Sequence, residues 1–564
     1  MRPDEGAADA EVAESAADHG SIGEETKPWI LLGLALFGVG IASWYPVPTG
    51  IWHDDGAYML IAKALAGGYG FTYEGVVGAP PATKFPPLYP ITLAGIWTLT
   101  RSIGPATLVS TILNIGLLAT AGALFGRFLY RSANLPLGLS LAVAAMGFAS
   151  ADVVRTALLA LSEPLFILLV VLALIQWPRV SEAMERLGGP PPADDARAAR
   201  SVWSTLALPA LILIAVVATR SAGLALVLAF AAAILVSQSR LSRLAAAAFV
   251  TGPALLFIGV WDRWSAIQTT QIPEGARDLL GPYRGWLADQ ALSAPATFLG
   301  ELPSHTVGVL GSAIALLVPG LTGAPLWTTG GILLVVAGLG TVILIRRLPP
   351  LGWFVPGYLA MLLLWPYLDR RLLVPLHPML VTAIAVGGLA LIQRLPGEAV
   401  RKTAVALAAI WMLGFGAVTT YRIADGWPTA PYRLRAVNLA ATVEAMTKTV
   451  PDDAVVGAPE FWAALHLHGG WTVAPSVRFD PRSIDPEAPI WGTPDEQLAL
   501  WSDSGIDHLL LEQGGQLHGA ALDQLEEECP GSVLVLARMR PAMVVKLDWA
   551  ASCRPTPPST TRSP

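Results

Sequence analysis

Long apolar runs recur along this chain and constrain its fold more than any other feature. Charged residues make up only 14% of the 564 residues, against about 25% in soluble domains. Eleven runs come close to the length that crosses about 30 Å of hydrocarbon: 29–46, 105–127, 135–150, 158–177, 204–218, 221–237, 244–262, 326–345, 351–368, 372–393 and 403–421. The sequence therefore predicts an α-helical polytopic membrane protein with about 11 transmembrane helices.

Basic residues between these runs predict the orientation in the membrane. With a cytoplasmic N-terminus, the cytoplasmic connections carry thirteen Arg and Lys residues, whereas the short external turns carry four: Arg155, Arg220, Arg370 and Arg371. This asymmetry follows the positive-inside rule and places the chain in the cytoplasmic (inner) membrane with its C-terminal region outside. Residues 304–322 break the alternation, so we interpret them as a re-entrant or surface helix.

Composition divides the chain into four parts. Residues 1–27 carry eight acids and are too polar to bury a core, which predicts a disordered cytoplasmic tail. Residues 28–426 form the membrane domain, whose first external loop spans 48–104. Residues 427–553 alternate helical and strand patterns and predict a small extracytoplasmic α/β domain. A disordered tail, 554–564, follows.

The two cysteines of the chain, Cys529 and Cys553, both fall in the predicted extracytoplasmic domain. A disulfide persists in that compartment, so we predict a bridge between them, with two buried thiols as the alternative. His466 and His468 alternate as neighbours in a strand would. Because no third ligand lies nearby in the sequence, we interpret them as structural residues rather than metal ligands.

A polar segment from His53 to Pro90 follows the first apolar run. Asp54 and Asp55 precede GAYMLIAKALAGG, a pattern that predicts an amphipathic helix ending at a glycine pair. One acid would accept backbone N–H bonds at the start of this helix, and the other would serve beside the membrane as a general base. The alternative is that Asp55 only caps the helix.

Lys84 precedes the sequence FPPLYP in the same segment. The prolines favour an extended approach and then begin a short helix, LYPITLAGIWTLT, which we expect to lie along the membrane interface. A lysine held there suits a phosphate. Contact with lipid head groups is the alternative.

Two further charged features lie at predicted external ends of spans. Glu163, in LSEPLF, would stabilise a helix N-terminus through the helix dipole or take part in an active site. Arg370 and Arg371 follow Asp369 against the positive-inside trend. A bound anion would explain this pair, and so would a salt bridge with Asp369 together with head-group contact.

Taken in their order along the chain, these motifs resemble those of the GT-C superfamily of membrane glycosyltransferases. The acidic pair, Tyr58 and the K-PPL-P pattern of the first loop are followed by SEPLF, by TRSAGL at 219–224 and by RRLLVPLHP. They are similar to the protein O-mannosyltransferase and lipid A aminoarabinose transferase branch, over about residues 29–421. The resemblance implies a GT-C fold and inverting transfer of a sugar from a polyprenyl-phosphate carrier to an extracytoplasmic lipid, glycan or protein.

The resemblance also implies catalytic roles. Asp54 matches the acidic residue that deprotonates or orients the acceptor, and Asp55 replaces a frequent Glu. Glu163 falls where some members have a second carboxylate. No cofactor is required, because Lys and Arg side chains can supply the electrostatic stabilisation, but a divalent ion bridging Asp54 and Glu163 stays open.

The substrate-binding residues follow from the same resemblance. Lys84 would hold the carrier phosphate, although Phe85 separates it from the prolines. Arg370 or Arg371 would neutralise the leaving phosphate. The full expected set is His53, Tyr58, Lys84, Arg370 and Arg371.

Three other classes of protein remain as alternatives. A transporter or flippase of lipid-linked substrates would have internal repeats and polar residues around a midplane site, whereas these charges cluster at one face. An O-antigen-ligase-type enzyme would use a diphosphate-linked donor and a large late loop. A receptor would bind through residues 427–564. The expected partners are the lipid-linked donor, membrane lipids and an extracytoplasmic acceptor, with no nucleic acid.

Overall fold

The computed structural model describes residues 25–188, 195–236, 240–282, 292, 295–365, 369–459, 461–477, 493–512, 518–538 and 542–549. The predicted C-terminal tail lies outside this part of the chain, and so does the predicted N-terminal tail except for residues 25–27, which begin the first helix.

Helices make up the membrane domain. In chain order they are α1 (Glu25–Ala42), α2 (His53–Ala66), α3 (Leu88–Thr100), α4 (Ile103–Ser132), α5 (Leu137–Ala149), α6 (Ala151–Ala157), α7 (Glu163–Ile175), α8 (Trp177–Gly188), α9 (Asp195–Thr219), α10 (Leu224–Val236), α11 (Arg240–Thr269), α12 (Arg277–Leu280), α13 (Pro295–Leu317), α14 (Gly323–Arg347), α15 (Pro349–Leu363), α16 (His377–Arg394) and α17 (Glu398–Ala424). Short 3-10 segments cover Ser221–Gly223, Glu274–Ala276 and Arg370–Leu376.

Within the described residues, eight stretches are long and apolar enough to cross a membrane, and α5 with α6 forms a ninth that bends by 59°. This is a multi-pass membrane protein, and the predicted fold class is confirmed. Helices account for most of the described part of each of the eleven predicted spans, although α10 and α15 are shorter than a full crossing. The loop helix α2 ends at Gly67, as the glycine pair predicts.

Helix α13 covers most of the segment interpreted as re-entrant or superficial. Its apolar part, Leu302–Leu317, is shorter than a full span. Ala313, Leu316 and Leu317 are nevertheless buried in the same core as Phe354 of α15. The helix is therefore packed into the bundle.

Two glycines allow α14 and α16 to touch backbone to backbone. A Cβ atom at Gly340 would lie 1.8 Å from the carbonyl oxygen of Ala383, and one at Gly387 would lie 2.2 Å from that of Val336. Small residues permit such close approach between membrane helices. The contact positions α16 and with it the preceding 3-10 segment, which carries Arg371.

The C-terminal domain contains helices around a five-stranded sheet, as the sequence predicts. Its strands have the order β2-β1-β3-β5-β4; β1 is parallel to β2 and β3, and β5 is antiparallel to β3 and β4. The elements are α18 (Ala430–Thr449), β1 (Val455–Ala458), α19 (Trp462–Gly469), β2 (Thr472–Pro475), α20 (Pro494–Asp503), β3 (His508–Leu511), α21 (Gly519–Glu528), β4 (Val533–Arg538) and β5 (Met543–Leu547).

His466 and His468 lie on helix α19, so the predicted strand alternation is wrong. A short apolar segment fits both periods, and periodicity alone does not separate them. His466 Nε2 lies 2.8 Å from Lys63 Nζ, and His468 Nε2 lies 2.9 Å from the carbonyl oxygen of Thr49. Both histidines therefore join the C-terminal domain to the first loop.

Cys529 follows α21 and is disulfide-bonded. Cys553, its predicted partner, lies outside the described residues. The pairing of these two cysteines stays a prediction.

The first loop packs directly on the C-terminal domain. The Val473 N–H of strand β2 donates to the Gly75 carbonyl at 2.8 Å, and the Val77 N–H donates to the Val473 carbonyl at 3.0 Å. Trp462, which is fully buried, lies 5.4 Å between ring centroids from His53. Loop and domain share one hydrophobic core, so residues from both can reach a common cavity.

The α14–α16 contact predicts that valine substitutions at two glycines of α14 differ greatly in their effect on stability. Gly340→Val should lower the free energy of unfolding by about 1–3 kcal/mol, because the side chain has no space. Gly338→Val is the matched control, since no atom lies within 4 Å of its Cβ position. Thermal unfolding of the purified variants in detergent measures the difference; equal stability would contradict this packing.

Candidate active site

A cavity of about 410 Å³ lies where the first loop, the helix bundle and the C-terminal domain meet. Its volume is in the range of small-molecule sites. Much of its wall is apolar or aromatic, and its charged residues come from distant parts of the chain: Asp54, Lys84, Arg220, Asp369, Arg371 and Arg435.

The start of α2 separates the two neighbouring acids. Asp55 is 1% exposed, and its Oδ1 accepts hydrogen bonds from the backbone N–H groups of Trp52 at 3.1 Å and Gly56 at 2.7 Å. Asp54 lines the cavity and forms an ion pair with Arg371. Successive helical residues point about 100° apart. Asp55 therefore anchors the helix, whereas Asp54 faces the cavity.

The two acids also differ in their pKa values. Burial raises the pKa of Asp55 to about 8. Burial would also raise the pKa of Asp54, but the positive charges of Arg371 and Lys84 outweigh this effect and lower it below its usual range. Burial, reinforced by Lys84, lowers the pKa of His53 to about 3. At neutral pH the cavity thus holds an ionised Asp54 and a neutral His53.

Glu163 is fully buried at the start of α7 and holds two guanidinium groups. Its Oε1 lies 2.8 Å from Arg220 Nη1 and 3.3 Å from Arg371 Nε. Arg371 contacts Asp54 and also lies 3.5 Å from Asp369 Oδ2. The result is a buried chain of alternating charges, Arg220–Glu163–Arg371–Asp54, which we call the charge chain. A buried charge requires such partners because it has lost its water.

Lys84 faces the cavity from the opposite end of the first loop. Its ammonium donates to the Leu279 carbonyl at 2.9 Å and lies 3.5 Å from His53 Nε2. Phe85, which separates this lysine from the prolines, packs its ring 4.5 Å from that of Tyr58. The inserted phenylalanine therefore forms part of the cavity wall.

Tyr58 connects α2 to the charge chain. Its hydroxyl lies 3.0 Å from Ser162 Oγ, which in turn accepts a hydrogen bond from Arg220 Nη1 at 3.0 Å. Tyr58 thus lies in the cavity wall, and Ser162 links its hydroxyl to Arg220.

Arg370 and Arg371 point to different surroundings. Arg371 lines the cavity, whereas Arg370 is exposed and does not. The structure therefore brings Asp54, Lys84, His53, Tyr58 and Arg371 into the wall, with Glu163 directly behind Arg371. Arg370 and Asp55 lie outside it.

Several cavity residues were not among the expected site residues, and Arg220, Tyr358 and Arg435 are three of them. Arg220 had a sequence signal, because it belongs to the TRSAGL motif. Tyr358 lies in an apolar run, where its hydroxyl donates to the Leu372 carbonyl at 2.9 Å. Arg435 lies on α18 of the C-terminal domain. Only the folding of that domain against the loop brings Arg435 to the site.

Among the described residues, the two carboxylates considered for a bridging ion are already paired with arginines. In the described part of the chain, no group of three or more His, Cys, Asp or Glu side chains could hold a metal ion. Asp54 and Glu163, the pair considered for a bridging ion, already contact the guanidinium groups of Arg371 and Arg220. A cation between these carboxylates would compete with both arginines.

Solved structures resemble this fold. The chain aligns with the apo oligosaccharyltransferase of Archaeoglobus fulgidus with a TM-score of 0.52 and 10% identity, over 86% of this chain and 69% of that chain. The complex of that protein with Zn and sulfate gives 0.50 and 11%, over 86% and 67%. ArnT from Cupriavidus metallidurans bound to undecaprenyl phosphate gives 0.49 and 14%, over 92% and 97%.

This similarity confirms the fold that the motifs implied: the chain has the GT-C fold. No protein-family model matches the sequence, and comparison with curated proteins finds no match.

The charge chain predicts a strong effect of removing its central carboxylate. Glu163→Gln removes the carboxylate paired with Arg220 and one of the three carboxylates that contact Arg371, and should lower the free energy of unfolding by about 3 kcal/mol. Glu398→Gln is the matched control, because Glu398 forms an exposed pair with Lys402 and such pairs contribute little. Thermal unfolding in detergent compares the two; equal melting temperatures would contradict the structural role of Glu163.

The raised pKa of Asp55 predicts that the stability of the protein depends on pH. The pKa of this carboxyl is about 8 in the folded protein, against an ordinary value of 3.8. Between these values the folded state keeps a proton that the unfolded state has released, so stability falls as pH rises. Asp55→Asn should remove this contribution, and its melting temperature should rise relative to the wild type between pH 5 and pH 8. A constant difference across that range would contradict the assignment.

Proposed function

We propose that this protein is a membrane glycosyltransferase that moves a sugar from a polyprenyl-phosphate-linked donor to an extracytoplasmic acceptor, with inversion. One observation carries the proposal: the ionised carboxylate of Asp54 meets the cations of Arg371 and Lys84 in a single cavity. The GT-C fold, shared with the oligosaccharyltransferase of Archaeoglobus fulgidus, supports glycosyl transfer as the reaction class. The sugar would be a hexose or a pentose.

The cations would stabilise the leaving group. As the bond between the anomeric carbon and the phosphate oxygen breaks, negative charge grows on the polyprenyl phosphate. Donors fixed in advance around this charge lower the barrier most effectively. Arg371 and Lys84 would provide them, and Glu163 with Arg220 would keep Arg371 in position.

Asp54 would accept the proton of the acceptor. The acceptor oxygen attacks the anomeric carbon from the face opposite the phosphate, its proton passes to the Asp54 carboxylate, and the electrons of the broken bond leave with the phosphate. In the structure Arg371 pairs with Asp54. A donor phosphate that takes over this guanidinium would weaken the pair and raise the pKa of Asp54, making it a better base at the moment it is needed.

The apolar part of the cavity suits the lipid portion of the donor. Tyr358, Met361 and Leu362, all on α15, line the cavity together with Trp365. A prenyl chain could lie against this wall, because α15 is an apolar helix of the bundle. The polar phosphate would then reach Arg371 without leaving the membrane edge.

We place the cavity at the extracytoplasmic face of the cytoplasmic membrane, with the N-terminus inside. The distribution of Arg and Lys along the chain supports this orientation, and so does the disulfide at Cys529 in the domain that closes the cavity. Arg435 and Pro459 bring this domain into the wall. We infer that it selects the acceptor, which would be a lipid, a glycan or a protein.

Asp54→Asn should lower the rate of sugar transfer by about 10²–10⁴-fold, because the acceptor proton loses its base. Donor binding should remain, since Arg371 and Lys84 are intact. The rate is measured as the release of polyprenyl phosphate from a panel of polyprenyl-phosphate hexoses and pentoses. The protein is reconstituted in liposomes, and envelope extract supplies the acceptor. Asp453→Asn, at an exposed acid of the C-terminal domain, is the control.

Two outcomes would count against the proposal. Full activity of the Asp54→Asn variant would remove Asp54 from the mechanism. Movement of intact donor across the liposome membrane by the wild type, without cleavage of the sugar–phosphate bond, would favour a transporter.

A further inference from the structure

A second group of arginines lies outside the cavity. The guanidinium carbons of Arg155 and Arg422 lie 4.0 and 4.7 Å from the ring centroid of Trp427. Arg422 is also subject to the like charge of Arg370. We call Arg155, Arg370 and Arg422 the arginine cluster; neither Arg155 nor Arg370 nor Arg422 lines the cavity.

The arginine cluster carries excess positive charge. Its carboxylate partner among the described residues is Asp152, which is 6% exposed. The closest approaches of this carboxylate are 4.0 Å to Arg155 and 3.9 Å to Arg422, too long for hydrogen bonds. Two guanidinium groups thus share one carboxylate, and the charge of Arg370 acts on Arg422 as well. Like charges repel unless an anion joins them.

Hydrogen-bond donors in the cluster are unused. Within the described part of the chain, no side-chain hydrogen bond from these three arginines is formed, and Arg155 Nε is buried without a partner. Arg155 and Arg422 keep 25% and 20% of their side chains exposed, and Arg370 is exposed. The three side chains are therefore partly accessible to a ligand, although Arg155 Nε itself is buried.

The ends of three apolar segments meet at the cluster. Arg155 follows the 59° bend between α5 and α6, Arg370 begins the segment Arg370–Arg394, and Arg422 lies in the last turn of α17. Farther back on α17, Ile410 and Leu413 are exposed by 64% and 73%. A cationic site at the end of an exposed apolar helix matches a lipid with an anionic head group.

We propose that the arginine cluster is a second phosphate site, separate from the cavity, and that it binds the phosphate of a membrane lipid. Guanidinium groups bind phosphate oxygens in a forked geometry, and one phosphate would supply the missing negative charge to all three. The hydrocarbon chain would lie along the exposed apolar face of α17. The phosphate is a diester in a phospholipid and a monoester in a polyprenyl carrier.

The experiment uses the delipidated full-length protein and native mass spectrometry with three probes: phosphatidylglycerol, undecaprenyl phosphate and inorganic phosphate. Arg155→Gln combined with Arg422→Gln should weaken lipid binding at least tenfold. Lys402→Gln combined with Lys448→Gln removes the same charge from two exposed pairs and should change nothing. Arg370→Gln, at an exposed position, should weaken binding severalfold.

The probes distinguish the sources of the phosphate. Loss of phosphatidylglycerol binding assigns the site to phospholipid, and loss of one bound equivalent of undecaprenyl phosphate assigns it to a carrier lipid. Unchanged lipid binding in both the double variant and Arg370→Gln would overturn the proposal, and so would inorganic phosphate binding as tightly as either lipid. The readout is binding, so it is independent of whether the protein transfers sugar.

Discussion

The buried charge chain Arg220–Glu163–Arg371–Asp54 is the interaction on which the site depends. Charges removed from water are tolerated only where opposite charges and hydrogen bonds replace the solvent, so the four segments that carry these residues must come together. Glu163 is central because it lies within 3.3 Å of both arginines. The same pairing that stabilises the bundle at this end also leaves the Asp54 carboxylate and the guanidinium groups of Arg220 and Arg371 facing the cavity.

The surrounding packing holds this chain in place. The backbone contact between α14 and α16 positions the segment that presents Arg371, and the start of α2 is held by the hydrogen bonds of Asp55. The C-terminal domain closes the cavity by adding its edge strand β2 to the first loop. The two adjacent arginines lie in different surroundings: Arg371 lines the cavity and Arg370 belongs to the arginine cluster. This end of the protein thus presents two cationic regions, one that lines the cavity and one that lies outside it.

Much of this fold follows from patterns that are local in the sequence. Apolar runs of nearly membrane-crossing length became helices in every case, because in hydrocarbon only a helix satisfies its own backbone polar groups. The helix after Asp55 ends where a glycine pair stops it. His466 and His468 show the limit: a short apolar segment carries no unambiguous period, and the contacts of α19 with the loop decided its helical structure.

The sequence by itself determined the membrane class, the helices and the residue types able to bind a phosphate and take a proton. The sequence could not assign different roles to adjacent residues, because they share the same local pattern. Only the tertiary structure separated Asp54 from Asp55 and Arg371 from Arg370, through the direction in which each side chain leaves its helix and the partners it finds there. It also brought Arg435 to the cavity, since contacts between distant segments arise from packing that no local pattern encodes.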